Sequence, residues 1–134
     1  LRDIVIAQGA CTDSAYANQF RLHGTYAPIA DFDLLERAAA IAKEKKLNFH
    51  VGNILSSDYF YDDAQSLSEW RKMGVLAVEM ETAALYMNAA RAGKKALSLL
   101  TVSDVTATGE KLSAHERQVS FNDMIELALK VAVE

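Results

Sequence analysis

The chain has 134 residues, an ordinary size for one domain, and its 51% hydrophobic against 24% charged residues call for a packed core. A net charge of −4 excludes a nucleic-acid binder working through a broad basic surface; the single cysteine, Cys11, excludes an internal disulfide. With no CxxC or Cys/His cluster a structural zinc site is not expected, and no apolar run reaches the ~18 residues of a membrane span.

The chain opens without Met on what reads as a strand, and Glu134 closes a helix without a tail, which suggests a mature fragment or a piece of a longer chain. No signal peptide is visible, so the default location is the cytoplasm. "DIVIAQ" (3–8) is apolar and β-branched and predicts the first strand. A polar loop containing Pro28 follows to about residue 30. Residues 33–46 are helical, with Leu34, Leu35, Ala38, Ile41 and Ala42 on one face. Asp33 and Glu36 have the spacing of a capping box, and Lys43, Lys45 and Lys46 suit the negative end of the helix dipole.

"NFHVGNIL" (48–55) predicts a second strand, residues 65–73 a short helix, and "VLAVEM" (75–80) a third strand. "TAALYMNAARA" (82–92) is a helix stopped by Gly93. "KALSLLTVS" (95–103) is almost continuously apolar, as in a strand covered on both faces. Residues 113–133 predict one long helix opened by a Ser113/Glu116 capping box, with a stripe of Phe121, Ile125, Ala128, Leu129 and Ala132. Alternating strands and helices argue for an α/β fold: a mixed, largely parallel sheet flanked by helices, in a single domain over 1–134.

Ligands of open α/β sheets bind beyond the carboxyl ends of strands. Two strands end in polar residues here, Glu79-Met80-Glu81 and Ser103-Asp104. If the two strands are neighbours, three carboxylates and a hydroxyl share a crevice; the plainer reading is that Glu81 and Asp104 cap turns or helices. A carboxylate accepts two hydrogen bonds at once and so matches the adjacent hydroxyls of a ribose. A second carboxyl, held protonated, can act as general acid toward a leaving group. The pattern is that of glycosidic cleavage through an oxocarbenium-like transition state. Arg117 in the first turn of the last helix opposes the dipole and so points either to a carboxylate or ligand partner or to a solvated surface. "YFY" (59–61) could stack on a flat ring, although such a cluster is more often core. His23, His50 and His115 lack metal spacing, and Cys11 has no base beside it in sequence.

"AVEMETAALY", "LLTVSD" and "ERQVSFNDMIELAL", with "IADFDLLERA" and "VGNILSSDYFY", resemble the hexameric, DeoD-type bacterial purine nucleoside phosphorylases. The resemblance covers all 134 residues and matches the C-terminal part, somewhat more than half, of a family chain. It implies reversible phosphorolysis of purine (deoxy)ribonucleosides to free base and (deoxy)ribose 1-phosphate. By the same resemblance Glu81 holds the ribose 2′- and 3′-hydroxyls, Met80 packs on the sugar, and Glu79 belongs to the same strip. Val78 and Phe60 line the base pocket, Ser103 sits beside the base, Asp104 protonates purine N7, and Arg117 pairs with Asp104; because a permanently close cation would lower the Asp104 pKa, that pair is expected to tighten only with substrate bound. It implies a cytoplasmic homohexamer with inorganic phosphate as co-substrate and no cofactor, metal, nucleic acid or membrane partner. Many relatives carry His where Val105 follows Asp104, a departure that bears on base preference. The family's phosphate site precedes Leu1, so an inactive nucleoside-binding fragment is one alternative and a methylthioadenosine/adenosylhomocysteine nucleosidase another.

Overall fold

A computed structural model describes residues 1–61, 66–119 and 121–133. Its elements are β1 (Ile4–Thr12), α1 (Phe32–Glu44), β2 (Phe49–Ser56), α2 (Leu67–Lys72), β3 (Val78–Glu79), α3 (Thr82–Ala92), β4 (Leu99–Thr101), β5 (Asp104–Val105), β6 (Glu110–Lys111), α4 (Ala114–Val119) and α5 (Asn122–Val133). The main sheet has the order β3-β2-β1-β4. β1 runs parallel to β2 and β2 parallel to β3, while β4 lies antiparallel to β1. This is the expected mixed, largely parallel α/β architecture.

β1 is central because both of its faces are apolar. Ile4 and Ile6 pack with Ala38, Ile41 and Ala42 of α1 and with Leu127 and Val131 of α5. Val5, Ala7 and Ala10 pack on the other face with Ile54 and with Ala83, Tyr86 and Met87 of α3. The step from Ala7 to Ala10 breaks the two-residue alternation, because the register with β2 shifts between Ala7 and Gly9. An extra residue in one strand moves later side chains to the other face. The predicted strand stopped at Gln8 because Gly9 looked like the start of a loop; the bulge carries the strand through it to Thr12. The loop containing Pro28 returns along this half of β1, with Ala10 N–H donating to the Pro28 carbonyl (2.9 Å) and Ala30 N–H to that of Gln8 (3.0 Å).

Helix α1 buries the predicted face, but its cap is Asp31, whose carboxylate accepts from Leu34 N–H at 3.0 Å. Asp33 instead pairs with Lys95 at 2.7 Å. Gly93 ends α3 in the left-handed region (φ 66°), as the sequence predicts. α2 falls within the predicted helix, whose residue 65 lies outside the described residues.

The predicted strand over 75–80 shrinks to the two-residue edge strand β3. That over 95–103 shrinks to β4, whose apolar neighbours still serve both faces: Leu97 and Leu99 meet the α1/α5 core, Leu100 and Val102 the α3 core. The single helix predicted over 113–133 is two, α4 and α5; Ser120 lies outside the described residues. The expected stripe is displaced as well. Leu127 and Val131 are buried, whereas Ile125 and Leu129 are 50% and 62% exposed. α5 is apolar on two sides, so periodicity alone could not choose the buried one; docking on α1 does.

Tyr86 ties the layers together. It is 1% exposed, its hydroxyl donates to the Ala7 carbonyl at 2.6 Å and accepts from Ser98 N–H at 2.9 Å, and burial pushes its pKa up. Tyr86→Phe leaves the buried polar groups at both ends without this partner. Chemical denaturation should show a loss of about 1–3 kcal/mol; an unchanged midpoint would mean that the hydroxyl contributes nothing.

Candidate active site

The carboxyl ends of the three parallel strands meet at the start of α3. Glu79 closes β3, Glu81 is the N-cap of α3, and Ser56 closes β2 beside Glu79. One Glu79 carboxylate oxygen accepts from the Ser56 hydroxyl; the other accepts from Glu81 N–H and Thr82 N–H, both at 2.7 Å. The Ser56 hydroxyl in turn accepts from Ala83 N–H at 2.8 Å. The first N–H groups of a helix have no partner within it and attract negative charge. Glu79 and Ser56 fill that role for α3, which gives the first carboxylate of "EME" its physical reason.

Glu81 differs from Glu79. Its carboxylate is exposed and makes one long contact, accepting from Met80 N–H at 3.3 Å. It faces a cleft of about 320 Å³ lined by Glu79, Glu81, Thr82, Leu85, Ser98, Leu99 and Leu100. Val78 and Met80 flank this turn at 39% and 44% exposure without lining the cleft. The core reading of residues 59–61 is corrected, since Tyr59, Phe60 and Tyr61 are 65%, 77% and 85% exposed. Phe60 and Tyr61 meet edge to face with ring centroids 5.0 Å apart.

Asp104 begins β5, the first strand of a small antiparallel hairpin with β6 that the sequence did not reveal. One of its oxygens accepts from the Ser103 hydroxyl at 2.6 Å, the other from the Arg117 guanidinium at 2.7 Å. The Asp104–Arg117 pair is already closed at 2.7 Å in this structure, against the expectation that it tightens only with substrate bound, and both side chains are partly exposed. Because α4 ends at Val119, Arg117 lies in its last turn, where a cation complements the dipole, and not in the first turn of a long helix.

The Ser113/Glu116 box is present, with Ser113 N–H donating to the Glu116 carboxylate at 2.8 Å and Glu116 N–H to the Ser113 hydroxyl at 3.1 Å. Arg2 also reaches Glu116, at 3.2 Å. The Ser113 backbone N–H, more than the Ser113 side chain and Arg2, holds the Glu116 carboxyl below its ordinary value. A lowered folded-state pKa stabilises above the unfolded value, about 4.3, and that contribution is lost as pH falls through the lowered value. NMR titration of the Glu116 carboxyl should therefore give a midpoint below about 4.3, with α4 amide protection falling alongside it; a midpoint at the ordinary value would contradict the box.

The two polar strand ends are not neighbours. β3 and β4 are the two outer strands of the sheet, with β2 and β1 between them. β4 is antiparallel, so its polar end lies beside the start of β1, where Val102 N–H donates to the Asp3 carbonyl at 2.9 Å. The expectation that adjacent strands bring three carboxylates together is therefore corrected. The cleft at Glu81 reaches Ser98, Leu99 and Leu100; Ser103 and Asp104 do not line it and lie past the far end of β4. Ser56 escaped the sequence reading, because nothing around it marks a residue that serves a helix 27 positions away.

The family model described as the phosphorylase superfamily matches residues 1–134. The chain belongs to the phosphorylase superfamily. It is 52% identical over 134 residues to the DeoD-type purine nucleoside phosphorylase of Geobacillus sp. (strain WCH70), an alignment covering 99% of this chain and 57% of the relative. The DeoD-type enzyme of Caldanaerobacter subterraneus subsp. tengcongensis is 54% identical over 134 residues, with 98% and 57% covered. The chain thus spans little more than half the length of the curated relatives it matches. Among solved structures, the purine nucleoside phosphorylase of Toxoplasma gondii in complex with immucillin-H superposes with a TM-score of 0.82 at 17% identity, covering 96% of this chain and 54% of that one. At that identity the likeness establishes the fold, in agreement with the expected nucleoside phosphorylase architecture.

Proposed function

We propose that the protein carrying this chain is a purine nucleoside phosphorylase. It cleaves the N9–C1′ bond of purine (deoxy)ribonucleosides with inorganic phosphate, giving free base and (deoxy)ribose 1-phosphate. The observation that carries this reading is the match along the whole chain to DeoD-type enzymes at about half identity, with an unencumbered Glu81 carboxylate on a cleft. Glu81 accepts hydrogen bonds from the 2′- and 3′-hydroxyls, and Met80 packs on the sugar. Glu79 contributes to the same strip by holding the Glu81 backbone. Val78 and Phe60 face the base, with Ser103 beside it.

Asp104 delivers a proton to N7 as the N9–C1′ bond breaks, so the base departs neutral and a phosphate oxygen bonds to C1′. Arg117 stabilises the carboxylate that remains. The reaction needs no cofactor. Assembly as a homohexamer and a cytoplasmic location belong to the same proposal; among the described residues no helix is long and apolar enough to cross a membrane. The test is product identification on the intact protein: inosine and phosphate should yield hypoxanthine and a sugar 1-phosphate resonance by phosphorus NMR. Free ribose in place of the sugar phosphate would overturn the reading.

A further inference from the structure

We propose that Ser56 is a positioning residue that sets the aim of Glu81 and thereby the preference for a sugar bearing its hydroxyls. The inference rests on the reading of Glu81 as the ribose-binding carboxylate. Ser56 is 4% exposed and sits on β2, a different strand from the residues it serves. Its backbone is fixed by the Thr12 hydroxyl, which donates to the Ser56 carbonyl at 2.7 Å. Its own hydroxyl is used twice, donating to Glu79 and accepting from Ala83 N–H.

The remaining Glu79 oxygen grips Glu81 N–H and Thr82 N–H together. A relay therefore runs from the buried Ser56 hydroxyl through the Glu79 carboxylate to the Glu81 backbone. Among the described residues the Glu81 side chain has only the long contact with Met80 N–H. The direction of its carboxylate is consequently set at the backbone, and the backbone is set by Glu79. Removing the Ser56 hydroxyl frees the Glu79 carboxylate to rotate, and the Glu81 turn loosens with it. Binding that depends on fixed geometry is sensitive to displacements of about an ångström.

The experiment compares inosine with 2′,3′-dideoxyinosine, which lacks both hydroxyls, on the intact protein. In the wild type kcat/KM should favour inosine, and Glu81→Ala should remove that preference. Ser56→Ala should lower kcat/KM for inosine about tenfold to a hundredfold, mostly through KM, and leave dideoxyinosine unchanged. Ser56→Thr, which retains a hydroxyl, should restore the preference. Glu79→Gln keeps the shape of the relay without its charge and should lower the same ratio if Ser56→Ala proves too unstable to assay. Preference retained in a folded Ser56→Ala or Glu79→Gln protein, while Glu81→Ala loses it, overturns the relay alone. Absence of the preference in the wild type overturns the reading of Glu81 and the relay with it.

Discussion

With Asp104 as the proposed general acid, Asp104→Asn should lower kcat for inosine by about 10²–10⁴-fold, the usual contribution of such a group. Asparagine keeps the shape of Asp104, and its one amide oxygen can still accept from Arg117, while the amide NH2 that replaces the second oxygen donates to the Ser103 hydroxyl; the two hold the carboxylate at 2.7 and 2.6 Å. The amide cannot release a proton to N7. A control isolates that step: 7-methylinosine already carries positive charge on the purine, and its base leaves neutral without protonation. The variant should turn over 7-methylinosine at close to the wild-type rate. An equal loss on both substrates would mean that Asp104 shapes the site and does not donate.

Glu81→Ala produces the second large effect. Two hydrogen bonds from sugar hydroxyls to a carboxylate are worth about 1.5–3 kcal/mol each. At tenfold per about 1.4 kcal/mol, kcat/KM for inosine should fall about a hundredfold or more. Stability should hardly change, because among the described residues the Glu81 carboxylate makes only a 3.3 Å contact with Met80 N–H. Glu79→Ala contrasts with it. That change removes the acceptor for Glu81 N–H and Thr82 N–H and leaves the buried Ser56 hydroxyl without its acceptor, so its midpoint of denaturation should fall by about 1–3 kcal/mol in stability. If the two variants lost stability equally, the division of labour between the carboxylates would be wrong.

That division shows how far the sequence could be read. The apolar, β-branched run of β1, the stop at Gly93 and the Ser113/Glu116 box were legible because each is written in contiguous residues. The two carboxylates of "EME" were legible as a polar strand end but not as two different roles. What separates them is Ser56, 23 residues before Glu79 and visible only once β2 and β3 pair. Strand adjacency failed for a similar reason. Nothing local tells β4 to run antiparallel on the far side of β1, so Asp104 and Glu81 are not side by side, and the cleft at Glu81 is lined without Asp104. The buried side of α5 was ambiguous because Ile125 and Leu129 are as apolar as Leu127 and Val131. The Asp104–Arg117 pair came only from family resemblance; the partners stand thirteen positions apart with a hairpin between them, beyond any helical or strand period.

Phosphorolysis is tested most directly by release of hypoxanthine from inosine by the intact protein as inorganic phosphate is raised from zero. No hypoxanthine should be released without phosphate, and the rate should rise with phosphate concentration to saturation. Release at the same rate in phosphate-free buffer would contradict phosphorolysis and make water the nucleophile.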